Sequence, residues 1–312
     1  MTSAAFEENW LTGPAGTKFY TRTYKADQPK ALLVFVHGFA EHVGRYNHVH
    51  EKYPEKGITV FTYDARGFGK TALDAANKSK DSSYGKTSWK EQFGDIEWAI
   101  GQASKEVPGV PTFLMGHSMG GGNVLGFVTR TTAPPSPDTV KLLSGVIVSS
   151  PLLVLSTPAS PFQRWLGRKA RPFLPNLPVP APMNEGDLNR NPERNKVLSD
   201  PLIKQAGTVA GLTDMFDGGK KLVDEDYVHF PQSLPLIIIH GDADKITSHD
   251  ASKSFVEKVK ADDKKFSSYP GGYHELANEP DGMDEKLTDE VIAWIYIHLP
   301  GETSASEVQA KL

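Results

Sequence analysis

One serine sits among residues small enough to make it a nucleophile: Gly116-His117-Ser118-Met119-Gly120. The apolar run Pro111-Thr112-Phe113-Leu114-Met115 precedes it, and Gly121-Gly122-Asn123-Val124-Leu125 follows. That is a short strand, a turn crowded with glycine and a helix start, the order a nucleophile elbow requires. A side chain on so tight a turn holds its backbone in a strained conformation, and the flanking residues must be tiny to clear the adjacent strand and helix. The Ser118 hydroxyl is then expected at the carboxyl end of a parallel sheet, pointing into a cleft. The pattern G-x-S-x-G also arises by chance; the strand before it and the helix after it carry the reading.

A serine hydroxyl is a poor nucleophile at neutral pH and needs a general base, itself oriented by a carboxylate. On this kind of sheet the acid and then the histidine follow the serine, each at the end of a later strand. The apolar run Leu236-Ile237-Ile238-Ile239 empties into His240-Gly241-Asp242-Ala243-Asp244, so the acid is Asp244 or Asp242. Asp244 is favoured, because the first residues past a strand complete the turn while a later one reaches back across the cleft. Of His249, His274 and His298, the first lies too close to the acid and the last in a terminal helix. His274 follows the last strand, 30 residues beyond Asp244, which is room for one helix and one strand. The oxyanion formed on an ester needs two donors. The Met119 N–H at the elbow helix start supplies one, and the Phe39 N–H, in the loop after the strand ending at Val36, is best placed for the other.

The elements that must position these groups alternate. Strands are expected at Phe19–Tyr24, Ala31–Val36, Ile58–Tyr63, the elbow strand, Leu142–Val148, Leu236–Ile239 and Lys265–Tyr269. Helical stretches fall at Tyr46–Lys56, around Trp89–Ile100, after Ser118, near Asp250–Lys260 and near Asp284–Leu299. Strand–helix alternation with continuous apolar strands implies an α/β fold with a mostly parallel central sheet. From Leu152 to Phe230 the alternation stops and prolines crowd in. The expected organisation is a core of residues 1–151 and 231–300, an inserted cap or lid of residues 152–230, and a disordered tail of residues 301–312. Within the insert, Ser160 is a candidate cap for a helix beginning at Pro161. Phe162, Trp165, Leu166 and Ala170 share one face of it, and Arg164, Arg168 and Arg171 the other. Such a helix either rests its apolar face on lipid or packs that face on the core with its arginines outward.

With 312 residues, 38% hydrophobic and 23% charged, the chain has the composition of an ordinary soluble globular protein. A formal net charge of −4 argues against a nucleic-acid partner. No cysteine is present, which excludes disulfides, thiolate metal sites and a cysteine nucleophile. The start of the chain has no basic-then-apolar pattern of a signal peptide. The terminal Ala310-Lys311-Leu312 is a near variant of a peroxisomal address, or an ordinary chain end.

Taken together, His37-Gly38-Phe39-Ala40-Glu41-His42 with Arg45-Tyr46, the Ser118 elbow, Ser199-Asp200-Pro201-Leu202, Gly241-Asp242-Ala243-Asp244 and Tyr273-His274 resemble the monoglyceride lipase family, capped serine hydrolases of the α/β-hydrolase fold. The resemblance runs from about Trp10 to Leu299. It implies Ser118, Asp244 and His274 as the triad, and Phe39 and Met119 as the oxyanion amides. It also implies Glu41 and Arg45 at a polar end that receives the glycerol head group, with an apolar acyl tunnel beneath the lid. Here Ala277 stands where some members carry a second histidine. The expected activity is hydrolysis of monoacylglycerol through an acyl-enzyme, with no metal or nucleotide cofactor. A lysophospholipase or general carboxylesterase would use the same triad, and a silent scaffold would bind lipid without chemistry; a haloperoxidase or peptidase fits less well. The expected location is cytoplasmic with peripheral attachment to membranes or lipid droplets, with peroxisomal import as the alternative.

Overall fold

A computed structural model describes residues 5–158 and 160–301. The expected tail beyond Gly301, with Ala310-Lys311-Leu312, lies outside the described residues. Ten strands occur among them: β1 Glu7–Thr12, β2 Lys18–Tyr24, β3 Ala31–Val36, β4 Ile58–Tyr63, β5 Thr112–His117, β6 Leu143–Ser149, β7 Pro178–Pro180, β8 Ala206–Thr208, β9 Leu236–Gly241 and β10 Lys264–Tyr269. Eight form one sheet in the order β1-β2-β4-β3-β5-β6-β9-β10. The pairs from β4 through β10 are parallel, and β1 and β2 add antiparallel at one edge. This is the α/β-hydrolase architecture.

The continuous apolar strands are continuous because both faces are covered. Leu32, Val34 and Val36 enter one core layer, while Ala31, Leu33 and Phe35 enter the other. The helix Trp89–Glu106 is capped by Ser88, which accepts the Glu91 N–H, and it buries Phe93, Ile96 and Ile100. The expected helix over residues 46–56 does not form. One helical turn, Asn47–His50, gives way to a 3₁₀ turn, Pro54–Lys56. Pro54 has no N–H to continue the ladder, and its ring clashes with the preceding turn. Strand β1 has no apolar run to announce it and forms by pairing on β2.

The segment between β6 and β9 leaves and re-enters at neighbouring parallel strands, since Val146 pairs with Leu236. It holds a helix at Pro161–Ala170, the small β7–β8 ladder and a helix at Val209–Asp224. The second helix is part of the core: Met215 and Leu222 join the main apolar cluster. Its Gly219 lies so close to the Leu153 carbonyl that a Cβ would sit 2.4 Å from the oxygen. The first helix starts at Pro161, but the Ser160 side chain makes no capping bond. Its apolar face is divided: Leu166 and Ala170 line the cavity above Ser118, whereas Phe162 and Trp165 do not. Arg164 and Arg168 pair with Asp217, and Arg171 with Asp214, while Phe162 and Trp165 are exposed.

Candidate active site

At the elbow, Ser118 has φ 53° and ψ −119°, a conformation that a non-glycine residue holds only under strain. Its neighbours show why they are glycine. A Cβ on Gly120 would sit 2.2 Å from the Val36 carbonyl oxygen, and one on Gly116 would sit 2.4 Å from the Gly120 carbonyl oxygen. The turn is fixed by Ser118 N–H donating to Ser149 O at 3.0 Å and Leu152 N–H to Ser118 O at 2.9 Å.

The structure brings Ser118, His274 and Asp244 into one hydrogen-bonded line. His274 Nε2 lies 2.9 Å from Ser118 Oγ, and its Nδ1 2.8 Å from Asp244 Oδ2. A carboxylate can only accept, so Nδ1 carries the ring proton and Nε2 is free to receive the serine proton. Burial works to lower the His274 pKa, but the Asp244 charge and hydrogen bond outweigh it and raise it above 6.5. Asp244 is opposed by burial in the same way, yet the His274 charge and the histidine hydrogen bonds carry it well below the usual carboxylate range. Asp242 is elsewhere: its Oδ1 accepts the Gly271 N–H at 2.7 Å and shapes the turn.

Phe39 and Met119 flank the serine. Met119 is the first residue of the helix Met119–Thr129, whose opening N–H groups have no partner within the helix. The loop after β3 approaches Ser118 so closely that a Cβ on Gly38 would lie 3.0 Å from Ser118 Cβ and 2.7 Å from Glu41 Oε2. Two side chains lock that loop. His37 Nε2 accepts the Ala65 N–H and its Nδ1–H donates to Gly38 O, both at 2.8 Å, while burial pushes its pKa down to about 4. Glu41 Oε2 accepts both the Gly38 N–H and the Tyr46 hydroxyl at 2.7 Å.

Glu41 and Arg45 reach the cavity wall, but each is already engaged. Arg45 grips both oxygens of Glu275 at 2.7 Å, and its Nε faces Glu41 Oε1 at 3.6 Å without a hydrogen-bond partner among the described residues. Burial opposes the charge on Arg45, but Glu275 and Glu41 overcome that and raise its pKa. Asn189 and Asn278 complete the shell of Glu275. Sequence reasoning missed Glu275 as the partner of Arg45, and it missed His240 and Thr247, both bonded to Asp244 Oδ2. Adjacency to His274 and Asp244 was the available signal.

Above the serine lies a cavity of about 710 Å³. Ser118, His274, Glu41 and Arg45 touch it, and Phe39, Leu155, Val179, Leu212, Met215 and Ile246 are among its apolar walls. A hydroxyl paired with a base at the wall of an apolar cavity can attack an acyl carbonyl presented by an apolar chain.

Residues 27–281 match the family described as serine aminopeptidase, S33. A Schizosaccharomyces pombe relative assigned to the monoglyceride lipases is 36% identical over 287 residues, covering 90% of this chain and 71% of that one. A monoacylglycerol lipase of Mycolicibacterium smegmatis is 29% identical, covering 96% of this chain and all of that one. Among solved structures, a soluble variant of Saccharomyces cerevisiae monoglyceride lipase with a substrate analogue superposes with a TM-score of 0.83 at 24% identity. The match covers 96% of this chain and 97% of that one. The chain belongs to the serine aminopeptidase S33 family of α/β-hydrolases, serine hydrolases among which its relatives include the monoglyceride lipases.

Proposed function

We propose that this protein is a serine ester hydrolase that cleaves monoacylglycerol to fatty acid and glycerol. Ser118 Oγ attacks the ester carbonyl as His274 Nε2 takes its proton, and the oxyanion is held by the Phe39 and Met119 N–H groups. The bond to glycerol breaks, and His274 returns the proton to the leaving oxygen. Water then attacks the acyl-enzyme with the same help, releasing the fatty acid and restoring Ser118. Asp244 holds the imidazole in the required tautomer throughout. Glu41 and Arg45 form the polar end for the glycerol hydroxyls. The observation that carries this reading is the apolar cavity ending on the Ser118 hydroxyl.

A peptide N-terminus, as an aminopeptidase would require, needs a free carboxylate in the site. Glu275 is gripped by Arg45, Asn189 and Asn278, and Glu41 accepts the Gly38 N–H and the Tyr46 hydroxyl. Both carboxylates are already committed to internal donors, which favours an uncharged ester. The deciding experiment is hydrolysis of mono-, di- and triacylglycerols beside lysophosphatidylcholine and aminoacyl amides, with Ser118→Ala as the control. Preference for monoacylglycerol, lost in the variant, is the expected result. Preference for lysophosphatidylcholine gives the lysophospholipase reading instead, and no turnover with no fluorophosphonate labelling gives a binding scaffold.

Exposed Phe162, Trp165 and Phe173 on the insert support peripheral attachment of a cytoplasmic protein to membranes or lipid droplets. Flotation with phosphatidylcholine vesicles should weaken in Trp165→Ala, and equal binding removes the attachment. A fluorescent fusion that enters peroxisomes only with Ala310-Lys311-Leu312 intact would replace the cytoplasmic assignment.

A further inference from the structure

The carboxylate of Asp244 serves two histidines, not one. Besides His274, it faces His240, the last residue but one of β9, whose Nε2 lies 3.0 Å from Asp244 Oδ2 and 3.2 Å from Thr247 O. Both are acceptors, so the proton of His240 must sit on Nε2. Its Nδ1 is then an acceptor, and the Ser252 hydroxyl, 2.9 Å away on the helix His249–Lys258, must donate to it. The hydrogen-bond geometry therefore assigns every proton in the chain Ser252–His240–Asp244–His274–Ser118. His240 is fully buried and outside the cavity wall, so it does not touch substrate.

We propose that His240 is a positioning residue that draws on the negative charge of Asp244 and so sets the pH at which His274 becomes a free base. This rests on the assignment of Ser118, His274 and Asp244 to catalysis. The physical argument is competition for one oxygen. Asp244 Oδ1 is held by the Ile246 and Thr247 N–H groups, and Oδ2 by the Thr247 hydroxyl, so the carboxylate stays in place without His240. With His240 present, part of its charge is spent on the Nε2–H, and less is left to stabilise a protonated His274. Burial holds His240 itself below the ordinary histidine range, keeping it a neutral donor. The titratable groups facing His240 are Asp244, His274 and, from the adjacent helix, His249. Those facing His274 are Asp244, Glu275, Glu41 and the His117 ring. Only His240 among these donates to the same carboxylate oxygen as His274.

The test is the pH profile of kcat/KM for monoacylglycerol in the full chain, comparing His240→Gln with His240→Asn. A glutamine amide nitrogen reaches the place of Nε2 and keeps a donor to Asp244; an asparagine amide is too short. In His240→Asn the acid limb should move up by about half a pH unit or more, with KM unchanged. In His240→Gln it should lie at the wild-type position. Where the Asn variant does not fold, shown by its thermal melt, His240→Met fills the site without a donor and takes its place. A merely structural role would lower kcat at every pH and leave the limb where it was. A limb that stays in place or moves down without the donor, or that moves equally with Gln and Asn, overturns the proposal. Ser118→Ala is run in parallel. If that variant keeps its activity, the catalytic assignment itself has failed; if it is dead while the His240 limb is unmoved, only this inference has.

Discussion

The floor and the roof of the cavity are held by opposite means. At the floor, Ser118, His274 and Asp244 are buried, and each polar atom of the Asp244 carboxylate has a partner from the surrounding loops. At the roof, the helix Pro161–Ala170 is tied down by Arg164 and Arg168 on Asp217 and Arg171 on Asp214, with Phe162 and Trp165 turned to solvent. Breaking a buried charged pair costs several kcal/mol, whereas an exposed ion pair contributes roughly 0–1 kcal/mol. The floor is therefore held firmly and the roof less so, since Arg168, Arg171 and Asp217 stand partly in water although Asp214 is largely buried. Catalysis needs the first property, and entry of a long apolar chain needs the second.

The sharpest break of this comparison is at the floor. Asp244→Asn should lower kcat on the order of 10⁴-fold, because an amide can present its N–H to His274 and select the wrong tautomer. Measured by ester turnover, a loss no larger than that of a roof variant would erase the distinction. Gly38→Ala comes next. The new Cβ would meet Glu41 Oε2 at 2.7 Å and Ser118 Cβ at 3.0 Å, so the loop must retreat and carry the Phe39 N–H with it. Loss of one oxyanion donor costs about 10²–10³ in kcat. Unchanged kcat in a folded variant would mean that the loop yields as the roof does.

The third effect is graded with pH. His274 must be neutral to accept the Ser118 proton, and its pKa is raised above 6.5. Activity should therefore fall as pH drops through a midpoint above 6.5, about tenfold per unit once well below it. Asp244, held well below the usual carboxylate range, stays ionised across that limb and adds no second inflection there. The profile of kcat/KM reads this directly, and a midpoint below 6.5 would show that burial, not Asp244, governs the imidazole.

How much of this could be read from residue order differs between floor and roof for the same reason. Ser118 announces itself through local sterics, since the glycines that make the elbow are its own neighbours. His274 follows from topology, because the last strand must empty on the same sheet edge. Glu275 and His240 were not legible: their meaning comes from Arg45 and Asp244, and a hydrogen-bond partner on another element leaves no periodic mark. The helix Val209–Asp224 lay within the stretch where the alternation stops, and it carries Gly211, Gly218 and Gly219, residues of low helix propensity. Gly218 and Gly219 are there because Trp89 and the Leu153 carbonyl press against them. For the helix Pro161–Ala170, the 3.6-residue period sorts its residues into two faces but not which face turns inward. The pairing of its arginines with Asp214 and Asp217, about fifty residues further on, leaves no mark in that period.

Those two aspartates give the smallest and most discriminating prediction. Asp217 accepts Arg164 Nη2 at 2.8 Å and Arg168 through two bonds of 2.6 and 2.7 Å, yet about a third of its side chain is exposed. Asp217→Asn removes the charge and keeps the shape. Stability should change by no more than about 1 kcal/mol, since the pairs are screened by water. What should change is local: backbone amides of residues 161–170 should lose hydrogen-exchange protection while those of β3, β5 and β9 keep theirs. With a short, soluble ester, kcat should stay near the wild-type value, because nothing at the floor has moved. Raised exchange in both places would mean that roof and floor are one cooperative unit. Unchanged exchange at the roof would mean that the arginines do not hold it, leaving Leu166 and Ala170 against the cavity as its attachment.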